Sequence, residues 1–66
     1  MLRAILDQIA QGRSVTISPV PGFPDLVEVT ITAPDGTAVA DSACDPSDRT
    51  LRHLIRALAA QLEAQT

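Results

Sequence analysis

The chain has little of what small proteins commonly use to stabilise themselves. It contains no lysine, tryptophan or tyrosine, and only one phenylalanine, one cysteine and one histidine. Because Cys44 has no second cysteine to pair with, no disulfide can form within the chain. One cysteine and one histidine are also too few for a structural zinc site. We find no secretion signal and no apolar run near the roughly 20 residues that span a membrane, and we expect a cytoplasmic protein.

Positive charge is scarce as well. The 66 residues carry eight acidic and five basic side chains, for a net charge of −3. This balance disfavours general nucleic-acid binding, because affinity for phosphate backbones depends mainly on a surplus of cations. A chain of this length hides only about 60% of its unfolded surface, so its core is thin. We therefore expect one domain over residues 1–66 that forms a homodimer.

The first eleven residues have the apolar period of a helix. Apolar side chains recur at positions 2, 5, 6 and 9, which lie on one side of a helix. Gly12 follows them, where a glycine in the left-handed conformation commonly ends a helix. The pattern predicts a helix over residues 2–11 whose leucines and isoleucines face the core.

Three strands follow. Residues 14–18 alternate between polar and apolar side chains, and Pro19 and Pro21 are expected to end that strand. Residues 19–25 are then predicted to be irregular. Residues 26–32 alternate again and are rich in valine, isoleucine and threonine, which favour strands.

The turn after the second strand sets the register of the third. Ala33-Pro34-Asp35-Gly36 has proline at its second position and glycine at its fourth, as in a type I turn closed by a glycine bulge. That turn places Ile31 opposite Val39 and Val29 opposite Asp41.

A long amphipathic helix is predicted over residues 46–64. Asp45 is expected to cap it, Pro46 suits its first position, and Asp48 complements its dipole. At about 28 Å it is long for a three-stranded sheet. We therefore expect its last turns, with Leu58 and Leu62, to project beyond the sheet and to need a partner.

These elements predict an α+β fold, a small α-β-β-β-α two-layer domain whose three-stranded antiparallel sheet has both helices on one face. The predicted core is Leu2, Ile5, Leu6, Ile9, Val15, Ile17, Val27, Val29, Ile31, Val39, Leu51, Leu54, Ile55 and Leu58. The element order resembles that of the double-stranded-RNA-binding domain. That family has a lysine cluster at the start of its second helix, where this chain reads Ser47-Asp48-Arg49-Thr50-Leu51-Arg52-His53, so the resemblance is one of topology.

Four side chains share one surface of the second helix at spacings of three and four, namely Arg49, Arg52, His53 and Arg56. One interpretation is a stripe that binds nucleic acid or an acidic protein. The other is a solvated helix face on which Asp45 and Asp48 pair with the arginines one turn on.

Two further surfaces each have two interpretations. Phe23, in a proline-stiffened segment, either folds back onto the thin core or stays exposed as an interaction anchor. The sheet face away from the helices carries Thr30, Thr32, Ala38 and Ala40, and it is either a solvated face or a binding or dimer surface.

Catalysis and metal binding have weaker signals. Cys44 precedes a helix start and His53 lies two turns into that helix, which predicts no contact between nucleophile and base. The acids Asp41, Asp45 and Asp48 do not have the spacing of a calcium loop. We expect that the chain is not an enzyme and that it has no catalytic residues, no metal and no cofactor.

The leading hypothesis is a non-enzymatic protein-interaction module that acts as a regulator, adaptor or inhibitor. In type it resembles small phage inhibitors of host complexes such as the anti-CRISPR proteins. The alternative is an RNA- or DNA-binding domain of double-stranded-RNA-binding topology that uses the arginine stripe. Neither hypothesis involves binding to a membrane.

Overall fold

The computed structural model describes residues 1–44 and 46–65. In chain order its elements are α1 (Leu2–Ala10), β1 (Ser14–Val20), β2 (Phe23–Thr32), β3 (Ala38–Ala43) and α2 (Asp48–Ala64). The strands form one antiparallel sheet in the order β1-β2-β3, and both helices pack against the same layer. The predicted α+β architecture is confirmed.

The hairpin between β2 and β3 has the predicted register. Ile31 pairs with Val39 and Val29 with Asp41. At the turn, the Ala33 N–H donates to the Thr37 carbonyl over 2.7 Å, and Gly36 has a φ of +93°. The Thr37 N–H donates to the Asp35 carboxylate over 2.9 Å, and this hydrogen bond lowers the pKa of Asp35. The loop is therefore held by backbone geometry that its residues favour.

The segment between β1 and β2 was predicted wrongly. Strand β1 continues through Pro19 to Val20, and β2 begins at Phe23, so residues 19–25 form a tight hairpin. Gly22 has a φ of +83° after Pro21, the residue pair that favours a type II turn. Proline is tolerated here because Pro19 lies on an edge strand, with an irregularity in the register after it.

The core lies between the sheet and α2. The sheet contributes the buried Val29, Ile31 and Val39. From α2 come the side chains of Leu51, Ile55, Leu58, Ala59 and Leu62. The expectation that the last turns of α2 project from the domain is wrong, since Leu62 is fully buried.

Helix α2 begins two residues later than predicted. Its N-cap is Ser47, whose hydroxyl accepts a hydrogen bond from the Thr50 N–H over 3.3 Å. Serine is among the preferred N-cap residues because its oxygen satisfies an amide that the helix leaves unpaired. Asp48 lies in the first turn, as expected. The predicted cap, Asp45, lies outside the described residues.

Helix α1 faces the core with a side other than the predicted one. Its buried residues are Ala4 and Gln8, with Ile5 partly buried against the core. Leu2, Leu6 and Ile9 were expected in the core and are 68%, 49% and 54% exposed. Ile17 on β1 was also expected there and is exposed as well.

Polar contacts at both ends of α1 account for its orientation. The Met1 amino group lies 2.9 Å from the Asp48 carboxylate, at the start of α2. After α1, the Arg13 guanidinium donates to Gln8 Oε1 over 2.7 Å and lies 3.6 Å from the Glu63 carboxylate, near the end of α2. The two helices therefore run side by side in the same direction. Because a half-buried guanidinium needs acceptors, Gln8 faces inward and the leucines of α1 turn away.

Gly12 makes this arrangement possible. Its φ is +81°, and its N–H donates to the Ile9 carbonyl over 2.9 Å. The next amide, of Arg13, donates to the Gln8 carbonyl over 3.1 Å. This is the Schellman pattern that glycine favours at a helix end, and it confirms the predicted role of Gly12. It also turns the chain back, so that the Arg13 side chain reaches Gln8 of α1.

Candidate interaction surfaces

The open sheet face is the surface turned away from the helices. Strand pairing brings its predicted residues together, since Thr30 is opposite Ala40 and Thr32 is opposite Ala38. Thr16 extends the row from β1 as the partner of Thr30. Thr16 and the two alanines are exposed, and Thr30 and Thr32 are half-buried. With side chains this short, another backbone or sheet could approach closely.

The arginine stripe lies on α2, in the opposite layer of the molecule. Arg49, His53 and Arg56 are exposed, whereas Arg52 is half-buried. Arg52 Nε is buried without a hydrogen-bond partner among the described residues. The structure therefore brings three of the four predicted side chains to solvent and partly withdraws the fourth.

Of the two acids expected to pair with this stripe, Asp48 does not do so, and Asp45 lies outside the described residues. The Asp48 carboxylate contacts the Met1 amino group instead. Within residues 1–44 and 46–65, no ion pair joins Arg49, Arg52 or Arg56 to an acid.

Phe23 lies at the tip of the β1–β2 hairpin and does not fold back onto the core. It is 59% exposed and pairs with Val20 across the turn. Pro21 and Pro24 flank it and fix the φ angles of the backbone on either side. Of the two interpretations of Phe23, the structure retains the exposed aromatic.

A fourth surface was missed from the sequence. Leu2, Leu6 and Ile9 form an exposed row along α1, which we call the α1 stripe. Arg3 and Asp7 lie beside it, with Arg3 Nε 3.5 Å from the Asp7 carboxylate. The apolar period was visible in the sequence, but it is the same for a buried and an exposed helix face, so the period alone gave no signal.

Chemistry-bearing side chains are dispersed. Cys44 and His53 are both exposed. Asp41, considered as a cation ligand, accepts a hydrogen bond from the Ser42 N–H over 2.8 Å. Among the described residues there is neither a cavity nor a group of three side chains able to hold a metal ion. No helix in that part of the chain is long and apolar enough to cross a membrane.

No protein family, curated protein or solved structure matches the chain.

Proposed function

We propose that this chain is a non-enzymatic protein-interaction module, a small regulator, adaptor or inhibitor that acts by binding another protein and that also self-associates. The observation that carries the proposal is the exposure of Phe23, the single aromatic residue of the chain. Aromatic rings are the largest source of buried apolar area in small cores. Here the ring lies outside the core, in a position suited to binding.

The setting of Phe23 supports an anchoring role. A ring held on a tight turn between prolines loses little conformational entropy when it docks, so more of its burial energy contributes to affinity. The open sheet face offers a second contact area, because Ala38 and Ala40 leave room for a partner's backbone. In this proposal the ring provides the anchor and the sheet face provides complementarity. A phage-type inhibitor of a host complex is one form that such a module takes.

The proposal is tested by affinity capture from the native host followed by quantitative mass spectrometry. We expect the wild-type chain to retain a specific protein partner and Phe23→Ser to lose it. The control is Ala57→Ser, a change to serine at an exposed apolar residue of α2 that lies outside the four surfaces described above. Circular dichroism of both variants should match the wild type, because neither side chain lies in the core. No enriched protein, or undiminished capture by Phe23→Ser, would contradict the proposal.

A second candidate function is nucleic-acid binding through the arginine stripe. The observation that favours it is that Arg49 and Arg56 are exposed and unpaired with acids in the described part of the chain. Phosphate contacts predict binding that falls steeply with salt and weakens in Arg49→Glu and Arg56→Glu. The absence of any gel shift of RNA or DNA at low salt would remove this candidate.

A further inference from the structure

The α1 stripe has the geometry of a surface that packs against a helix. Leu2, Leu6 and Ile9 occupy positions i, i+4 and i+7, which lie on one side of α1. Rows of apolar side chains at this spacing are the anchors through which helices pack against each other or into grooves. The occupant that fits this stripe is therefore another helix.

The charges beside the stripe indicate which helix. Arg3 and Asp7 each follow a stripe leucine by one residue, so both lie on the same flank of the stripe. When two identical helices pack antiparallel about a two-fold axis, each flank faces the same flank of the other copy. The arginine of one copy then faces the aspartate of the other, twice.

The apolar and charged pairs require the same axis. Leu2 and Ile9 have their midpoint between residues 5 and 6, and Arg3 and Asp7 have theirs at residue 5. The two midpoints differ by half a residue, or about 0.8 Å along the helix. One two-fold axis near Ile5 thus satisfies both sets of contacts.

A parallel pair does not have this complementarity. It would place the flank of Arg3 and Asp7 against the opposite flank of the second helix, which includes Ile5 and Gln8. Gln8 is buried and Ile5 partly buried within the same molecule. That flank is already occupied by the core.

We propose that two copies of this chain pair through α1, antiparallel, with Leu2 against Ile9 of the partner subunit and Leu6 beside the two-fold axis. This deepens the self-association in the proposed function and rests on it. The open sheet face, Phe23 and the arginine stripe remain outside the interface and available to a different protein.

The area of the stripe predicts a weak dimer. A leucine or isoleucine side chain freed of contacts exposes on the order of 100 Å². At the observed exposures the stripe offers roughly 200 Å² of apolar area per copy, which belongs with interfaces below about 1,200 Å² in total. We expect association at protein concentrations on the order of 100 µM, with the charged flanks setting orientation more than affinity.

The first test is sedimentation velocity over a range of concentrations. We expect the wild type to pass from monomer to dimer and Leu6→Glu to stay monomeric. The control is Ala40→Glu, which puts the same charge at an exposed position on the sheet and should still dimerise. Arg3→Asp and Asp7→Arg should each weaken the dimer, and the double exchange should restore it. A wild-type monomer at about 1 mM, or a dimer that survives Leu6→Glu, overturns the inference.

The second test reads the orientation by disulfide crosslinking in a Cys44→Ser background. Leu6→Cys should crosslink with itself, because Leu6 lies beside the axis. Leu2→Cys alone should not, whereas an equal mixture of Leu2→Cys and Ile9→Cys should give a mixed dimer. Self-crosslinking by Leu2→Cys and by Ile9→Cys, without the mixed dimer, would indicate a parallel pair and overturn the proposal.

The outcomes separate this inference from the broader function. A monomeric chain that captures its partner through Phe23 overturns the inference and leaves the interaction module standing. A dimer that captures no other protein supports the inference and overturns the interaction module. If capture is lost in Leu6→Glu while the chain is monomeric, the α1 stripe binds a different protein and the second copy is excluded.

Discussion

The two helices of this molecule have similar sequence patterns and different environments. Both carry leucine and isoleucine at helical spacing. In α2 the apolar stripe is buried, and its deepest members Ile55 and Leu62 have no exposed surface. In α1 the corresponding row is about half exposed, and the helix instead buries Ala4 and Gln8. Amphipathic spacing therefore identifies a helix without identifying the side that faces the core.

The difference arises from what each helix can pack against. Helix α2 lies over β2 and β3, which supply Val29, Ile31 and Val39 as a continuous apolar surface. Helix α1 contacts β1 and α2 at the edge of that surface. There the polar contact between Arg13 and Gln8 must be accommodated, and the small Ala4 lets the two helices approach closely.

The largest expected effect compares the same substitution in the two helices. Leu62→Ala should lower the free energy of unfolding by about 2–5 kcal/mol, because it leaves a cavity in a filled core. Leu6→Ala should cost less than about 1 kcal/mol, because half of that side chain is already in water. Urea denaturation at low micromolar concentration, well below the range of the proposed dimer, measures both. Equal costs would mean that α1 packs through its leucines after all.

An intermediate effect is expected at the contact that orients α1. Arg13→Met removes the donor to Gln8 Oε1 and leaves a buried acceptor unsatisfied, at a cost of about 1–3 kcal/mol. Adding Gln8→Met should recover part of the loss, since both partners of the bond are then apolar. Denaturation of the single and double variants gives the coupling. Strictly additive losses would show that this contact does not determine the orientation of α1.

The smallest expected effect compares two glycines with nearly the same backbone conformation. Gly12 and Gly22 have φ values of +81° and +83°. A Cβ at Gly12 would lie 3.2 Å from Pro34 Cγ, whereas a Cβ at Gly22 would meet nothing within 4 Å. Gly22→Ala should cost about 1–2 kcal/mol from the left-handed conformation alone. Gly12→Ala should cost slightly more, so its thermal unfolding midpoint should be lower than that of Gly22→Ala. The opposite order would mean that the Pro34 ring moves aside at no cost.

Much of the fold followed from local signals. The turn at Pro34 and Gly36 fixed the β2–β3 register, and Gly12 marked the end of α1 where the structure has it. The alternation of valine and isoleucine in β2 identified the face that the helices cover. Prolines 19, 21 and 24 misled the prediction of the first hairpin, because their effect depends on whether a strand is at an edge.

Candidate surfaces were predictable to the extent that strand parity and helical spacing place side chains on a common face. The grouping of Thr30, Thr32, Ala38 and Ala40 followed from register, and that of Arg49, His53 and Arg56 followed from helical spacing. The α1 stripe was not predictable, because its exposure depends on the contacts of Arg13 with Gln8 and with Glu63, which is distant in the sequence.

By itself the sequence determined the order of elements, the turn chemistry and which side chains share a face, since these depend on backbone preferences within a few residues. Only the tertiary structure decided which face of α1 meets the core, that Leu62 is covered and that Phe23 is not. Those outcomes depend on the competition among surfaces for one thin core. A polar group such as the Arg13 guanidinium can settle that competition by needing a partner that one orientation alone supplies.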